Sequence, residues 1–282
     1  MSSPLELLAE LRQSSERRPL ETLKLAAPVL NAGAAARAGD DRWLVYEQVF
    51  VAAIDDGDMD LAKTVLALLH KQFDGSQRVR RLYGMYNDAA GHPEAAKRLY
   101  DEMLAADETN VLASKRLIAQ LKAQGHVAEA VGRLVEYVDT HANDFEAWLE
   151  LAALYLRQHL YPQAAFCLEE VILQQPANHY FHLCYAEINY TMGCLDVALK
   201  EYLRVVELST DNVRGFYGVK LTADRIRELR SRPKKEQPAW IGAAPQPAML
   251  ERLAQLATER LVAAYGGAGA APKRAVEAWL SE

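Results

Sequence analysis

An all-α chain, built as a solenoid of helix–turn–helix units between helical caps, is what this sequence predicts, and three observations carry the prediction. Alanine recurs every 34 residues, at Ala62, Ala96, Ala130, Ala164 and Ala198. Five residues before each alanine stands Gly57, Gly91, Gly125, His159 or Gly193, so that four units of the five carry glycine there. The units close on Ser76, Asn110, Asp144, Asn178 and Asn212, residue types that cap the N-terminus of a following helix. A fixed period of this length marks stacked helical hairpins, each burying its apolar face against its neighbours.

Taken in order, residues 1–42 read as an N-terminal helical cap. The start, MSSPLELLAELRQSSERR, is amphipathic and lacks the basic start, apolar centre and small-residue cleavage site of a secretory signal. The period then divides the chain into units 43–76, 77–110, 111–144, 145–178 and 179–212. In each unit the alanine lies where the second helix crosses the first at close range, and a larger side chain overpacks the crossing. The glycine suits a turn whose backbone leaves the right-handed region. Large residues four after each alanine (Leu66, Tyr100, Leu134, Leu168, Tyr202) and thirteen before it (Val49, Tyr83, Leu117, Leu151, Tyr185) fill the seams between helices. Residues 213–229 form a partial sixth unit, a first helix alone. RSRPKKEQPAWIGAAPQP, residues 230–247, reads as a Pro-rich, basic connector that is irregular and partly mobile. Residues 248–282 hold the C-terminal helices. Apolar spacing through Leu250, Leu253, Leu256, Leu261 and Val262 is helical. GGAGAAP then breaks the chain before a last short helix ending in Trp279 and Leu280.

Composition narrows the function. The chain has 282 residues, 50% hydrophobic and 25% charged, with a formal net charge of −6. That balance suits a globular protein with a real core and argues against nucleic acid, which needs a concentrated basic face. The longest apolar run, Trp43 to Ile54, is interrupted by Glu47 and Gln48 and is too short for a membrane span. Cys167, Cys184 and Cys194 are odd in number and follow no disulfide pattern, which points to a reducing, cytosolic compartment.

The stretch His159–Ile188 gathers histidines, cysteines and adjacent carboxylates and tempts a reading as chemistry. Zinc wants ligand pairs brought together by the fold. His179 and His182 share a helix face, but Cys184 lies two residues further and points elsewhere. Glu169 and Glu170 project about 100° apart on a helix and do not face each other as an acid/base pair. No G-x-S-x-G, phosphate loop or G-x-G-x-x-G is present. The sequence therefore predicts no enzyme, no cofactor and no metal.

The period and its residues resemble the tetratricopeptide repeat. The fourth unit matches that family's pattern most fully, through Trp148, Leu151, Ala152, Tyr155, Ala164, Leu168 and Pro176. The resemblance implies a right-handed superhelical solenoid whose first helices line a concave groove through their second, fifth, ninth and twelfth residues. Those positions supply a basic stretch, Arg78, Arg81, Lys115 and Lys122. Further on they supply an apolar, tyrosine-rich stretch, Leu149, Leu156, Tyr180, Leu183, Tyr190, Tyr217 and Leu221. Such a surface anchors a partner unless the C-terminal helices cover it, in which case it is core. The ninth positions (Val51, Met85, Ala119, Ala153, Glu187) lack the asparagine of carboxylate-clamp co-chaperones, so capture of an acidic chaperone tail is not expected.

Four segments carry a narrower resemblance: DDRWLVYEQVFVAAIDDGDMDLA (Asp40–Ala62), FDGSQRVRRLYGM (Phe73–Met85), QAAFCLEE (Gln163–Glu170) and YAEINYTMG (Tyr185–Gly193). They are similar to the subunit 2 family of the endoplasmic reticulum membrane protein complex, over roughly Gly39 to Leu221. The resemblance implies a non-catalytic scaffold, peripheral on the cytoplasmic side of the endoplasmic reticulum membrane, in a hetero-oligomer. Its partners there are cytosolic tails of membrane subunits and one soluble subunit, in an assembly that inserts tail-anchored and multipass proteins. The rival reading is a free cytosolic adaptor, a co-chaperone or an RNA-processing scaffold. Ala164→Leu is expected to lower the unfolding free energy by about 1–3 kcal/mol through overpacking, measured by chemical denaturation; an unchanged midpoint would remove the close crossing from the period's explanation.

Overall fold

The computed structural model of the chain describes residues 3–14, 16–30, 39–267 and 269–280. Parts of the expected N-terminal cap and the last two residues lie outside them. The chain divides into two compact units, Met1–Arg133 and Leu134–Glu282. Among the described residues all regular structure is helical, with no strand.

The first unit opens with α1 (Pro4–Ser14) and α2 (Pro19–Leu30), followed by α3 (Asp41–Asp56) and α4 (Met59–Gln72). Next come α5 (Gln77–Ala89), α6 (Pro93–Ala106) and α7 (Val111–Ala123). The unit boundary falls within α8 (Val127–Thr140). The second unit continues with α9 (Phe145–Arg157), α10 (Tyr161–Gln174), α11 (His179–Met192), α12 (Leu195–Leu208) and α13 (Val213–Ser231). It ends with α14 (Pro247–Ala264) and α15 (Ala270–Leu280). First helices start at Gln77, Val111, Phe145, His179 and Val213, each 34 residues after the last. Second helices start at Met59, Pro93, Val127, Tyr161 and Leu195 with the same step.

The period has a physical cause at both ends of each turn. Ala62, Ala96, Ala130, Ala164 and Ala198 are all fully buried. The turn residue is left-handed in every unit: φ is 86° at Gly57, 79° at Gly91, 78° at Gly125, 81° at Gly193 and 58° at His159. The same bond closes each turn, an amide donating to the carbonyl five residues back: Asp58 to Ala53, His92 to Asn87, His126 to Leu121, Leu160 to Tyr155, Cys194 to Asn189. His159 thus occupies the glycine position and holds, with a β-carbon, a conformation that costs an L-residue about 1–2 kcal/mol. The closing caps divide. Asn110, Asp144, Asn178 and Asn212 each accept a backbone N–H in the first turn of the next helix, whereas the Ser76 side chain makes no such bond.

Two glycines carry a packing role that spacing alone does not show. A β-carbon on Gly84 would lie 2.4 Å from Cε1 of Tyr100, and one on Gly218 would lie 2.2 Å from Cε1 of Tyr202. Both tyrosines stand four residues after a repeated alanine, and both are buried. Where the seam residue is the largest, the facing helix gives up its side chain. Leucine at the same place in the other units needs no such concession.

In the first unit α1 and α2 pack on α3: Leu8 and Ala26 are fully buried in one cluster with Val49 and Phe50. Arg12 Nη1 donates to Gln48 Oε1 (2.8 Å), and Gln48 Nε2 donates to the Leu8 carbonyl (3.2 Å). In the second unit α14 packs along α13, burying Leu250, Ala254, Ala257 and Leu261 with Val219, Ala223 and Ile226. A fully buried leucine of this kind contributes roughly 1.5–3 kcal/mol. The connector is not the irregular run that its prolines predict. It folds into 3₁₀ turns at Lys234–Glu236 and Ala239–Gly242. Arg230 Nη2 donates to the carbonyls of Ile241 (3.0 Å) and Ala244 (2.7 Å), and Gln237 Nε2 donates to those of Arg230 and Arg232. Gly218→Ala is expected to cost about 1–3 kcal/mol by overpacking against Tyr202, and Gly193→Ala about 1–2 kcal/mol by backbone strain with no clash at all. Chemical denaturation separates the two causes when Tyr202→Leu is added: it should rescue Gly218→Ala and leave Gly193→Ala unrescued.

Candidate functional site

The predicted basic stretch begins on α5. Arg78 and Arg81, one turn apart, converge on a single carboxylate of α3: Arg78 Nε lies 2.6 Å from Glu47 Oε2, and Arg81 Nη2 lies 2.8 Å from Glu47 Oε1. Burial pulls the Arg81 guanidinium below its usual range, Glu47 opposes that shift, and the nearby charges of Arg116 and Arg78 add to it. The Nε of Arg81 is buried without a hydrogen-bond partner. Two guanidinium groups therefore share one carboxylate at the edge of a cavity of about 580 Å³ whose walls include Trp43, Leu69, Phe73 and Leu82. Trp43 meets Phe73 edge-on at 5.3 Å, and Arg42 lies over the Trp43 ring at 4.4 Å. Lys115 and Lys122 are half-buried on α7.

Glu47 is the residue that the sequence reading missed. It stands at the fifth position of the first unit, the position that Arg81 holds in the second, and was visible there as a groove residue. A second polar knot lies nearby: Asp88 accepts from the Tyr100 hydroxyl (2.9 Å) and from Gln120 Nε2 (2.9 Å). Burial raises the Asp88 carboxyl despite those two donors.

The apolar, tyrosine-rich stretch separates into exposed and covered parts. Tyr180 is 53% exposed at the start of α11, while Leu183, one turn on, is 3% exposed. Leu183 is corrected from a groove residue to a core residue, because its side chain packs in one cluster with Ala186, Leu195 and Leu199. Tyr190 and Tyr217 are half-buried against the same cluster. Tyr217 meets Trp279 of α15 edge-on at 4.9 Å, and hydrogen bonding between its hydroxyl and that of Tyr265 adds to burial in pushing its phenol up to about 12. Covering by C-terminal helices therefore holds for Tyr217, where Trp279 and Tyr265 make the cover, whereas Leu183 is buried within the cluster that α11 and α12 share. Leu149 and Leu156 are half-buried on α9, and Leu221 is exposed. Trp148 is buried, its Nε1 donating to the Ala142 carbonyl at 2.9 Å.

The residues that tempted a chemical reading have structural partners. His182 is buried with both ring nitrogens occupied: Nδ1 lies 2.7 Å from Glu201 and Nε2 lies 3.0 Å from the Pro176 carbonyl. The ring thus ties the loop before α11 to α12. Glu169 accepts the Tyr185 hydroxyl, while Glu170 faces elsewhere, half-buried. Cys167 is buried, and that burial pushes its thiol up to about 12. Burial also raises the Cys184 thiol. Neither is set up as a thiolate nucleophile, which needs the opposite shift. Among the described residues no group of three or more His, Cys, Asp or Glu side chains could hold a metal ion, and no helix is long and apolar enough to cross a membrane.

Comparison with known proteins agrees with the hairpin architecture and narrows it. Residues 66–201 match the family described as the EMC2 TPR-like repeat domain. The ER membrane protein complex subunit 2 of Xenopus tropicalis is 39% identical over 218 residues, 76% of this chain and 73% of that protein. A TPR repeat protein of Schizosaccharomyces pombe is 33% identical over 195 residues, 67% of this chain and 69% of that protein. Among solved structures, the C-terminal part of a TPR repeat-containing protein from Cytophaga hutchinsonii is similar in fold, with a TM-score of 0.56 at 13% identity, covering 93% of this chain and 90% of that one. A 34-residue period with buried alanine at every crossing, joined to 39% identity across most of the length of both proteins, is more than a shared solenoid: the chain belongs to the ER membrane protein complex subunit 2 family of tetratricopeptide-repeat proteins.

Proposed function

We propose that this chain is a non-catalytic scaffold subunit of the endoplasmic reticulum membrane protein complex, peripheral on the cytoplasmic face of the membrane. In this reading it holds the cytosolic parts of membrane subunits and one soluble subunit together, in an assembly that inserts tail-anchored and multipass proteins. The observation that carries the reading is the 39% identity to a named subunit 2 over 76% of the chain. The disposition of polar groups supports it. Of the groups that suggested chemistry, His182 ties the loop before α11 to α12, Glu169 accepts the Tyr185 hydroxyl, and Cys167 is buried in the core. What remains available is surface of the kind that binds other chains: Tyr180 and Leu221 on one stretch, and the Trp43 cavity beside Arg78 on another.

Tagged chain purified from detergent-solubilised membranes is expected to bring membrane-spanning chains with it in fixed ratio. Recovery wholly in the soluble fraction, with no membrane-spanning chain attached, would sink the reading in favour of a free cytosolic adaptor. Within that purification Tyr180→Ala is expected to lower recovery of at least one subunit roughly tenfold, the effect of losing a central aromatic anchor. Its thermal midpoint should not move, because the ring is 53% exposed. Full recovery of every subunit would remove Tyr180 from the binding surface.

A further inference from the structure

A second surface lies in the unit that begins at Leu134, on the second helices of the third and fourth hairpins, and its cavity is lined by none of the residues assigned to the groove. A cavity of about 380 Å³ opens between α8 and α10, with Trp148, Leu151 and Tyr155 of α9 at its base. Its walls carry Val135 and Asp139 from α8, and Phe166 from α10. Phe166 is 54% exposed and meets Trp148 only edge-on, at 6.1 Å. Two turns further along α10, on the same face as Phe166, Leu173 is 75% exposed. Two large apolar side chains seven residues apart, left in water beside an apolar cavity, are a surface short of a cover.

Charge decides what kind of cover fits. Between Leu134 and Gln175 the chain carries seven carboxylates, Glu136, Asp139, Asp144, Glu146, Glu150, Glu169 and Glu170, against one basic residue, Arg157. That segment alone accounts for a net charge of −6, the formal charge of the whole chain. The second helix α10 has no basic residue along its length, and Asp139 stands in the cavity wall itself. An acidic apolar segment would bring like charge to this rim, and a neutral one would gain no attraction from it. A basic one would meet complementary potential on approach and retain the apolar contact once seated.

We infer that the α8–α10 face docks a basic amphipathic helix of another protein chain, which seats large apolar side chains in the Trp148–Phe166 cavity and over Leu173 while its lysines and arginines face the acidic rim. Apolar anchors on such a helix recur at three, four and seven residues. The seven-residue step from Phe166 to Leu173 matches two turns of a helix laid along α10. The inference does not depend on which assembly the chain joins, because it rests on the cavity, the two exposed side chains and the charge around them.

The test uses full-length chain in its assembly. Phe166→p-benzoylphenylalanine is introduced in cells, crosslinked by light before detergent extraction, and the adduct is sequenced; Glu259→p-benzoylphenylalanine, on exposed surface of α14, is the control. The expected adduct at position 166 is one segment of another chain with helical apolar spacing and a net positive charge, with none at position 259. An adduct to lipid, to a second copy of this chain or to an acidic segment overturns the inference, and so do equal adducts at both positions or none at 166. Asp139→Lys combined with Glu170→Lys is expected to lower the adduct yield about tenfold or more at an unchanged thermal midpoint. If that variant is less stable, a high-salt wash before irradiation gives the same reading on the unaltered rim, since screening weakens the approach; a yield indifferent to salt overturns the assignment of charge. Membrane subunits that copurify without an adduct at 166 reject this surface alone. An adduct of the expected chemistry without membrane subunits rejects the scaffold reading alone.

Discussion

The close crossing of two helices at a buried alanine is the contact on which the rest of this molecule depends. Nothing larger than a methyl group stands at the crossing in any of the five hairpins. That proximity lets the residue one turn further on seal the seam, and it fixes how far the second helix runs before it leaves its partner. The left-handed turn residue sets the other end of the hairpin, with the same backbone bond each time. With both ends fixed, neither turn nor helix has room for an inserted residue, and the period stays at 34. A constant hairpin then presents the same helix positions to the outside over and over. What differs between units is only which side chain stands there, so binding character varies along the chain while the backbone does not.

The variations show where that constraint is under load. Tyrosine replaces leucine at the seam twice, and each time the facing helix carries a glycine, Gly84 or Gly218, under the ring. At the second hairpin the extra hydroxyl also needs a partner, and Asp88 supplies it together with Gln120 of the next hairpin. One large side chain has thus recruited a glycine and an acid from one helix and an amide from another. His159 is the reverse case, a turn that keeps the shared geometry without the residue suited to it. The geometry is therefore imposed by the packing of the two helices and is not merely permitted by glycine.

The hairpins were legible in the sequence because each is specified locally and five times over. The caps at Asn110, Asp144, Asn178 and Asn212 were legible for the same reason, while Ser76 shows that a suitable residue type does not guarantee the bond. The interaction surface was less legible. A position within a helix tells which way a side chain points but not what another segment lays over it. Tyr180 and Leu183 sit three residues apart and were read alike, yet one is open and the other is core. Tyr217 is met by Trp279, more than sixty residues away in sequence, and no period links them. Glu47 was hidden for a simpler reason: it served as the interruption in an apolar run, and its own place in the repeat went unread.

The terminal helices have a consequence for assembly. A solenoid is a stack whose last face is built to accept one more layer, so an uncovered end can accept a copy of the same protein and continue as a filament. At one end Leu8 and Ala26 occupy that face on α3, and the Arg12–Gln48 bond fastens them. At the other, α14 fills the face of α13 with Leu250 and Leu261, and Arg230 holds the intervening turns in place. These helices act as chain terminators in the polymer chemist's sense. Within each unit they occupy the face on which a further hairpin would stack, and they leave the sides of the described hairpins open to association.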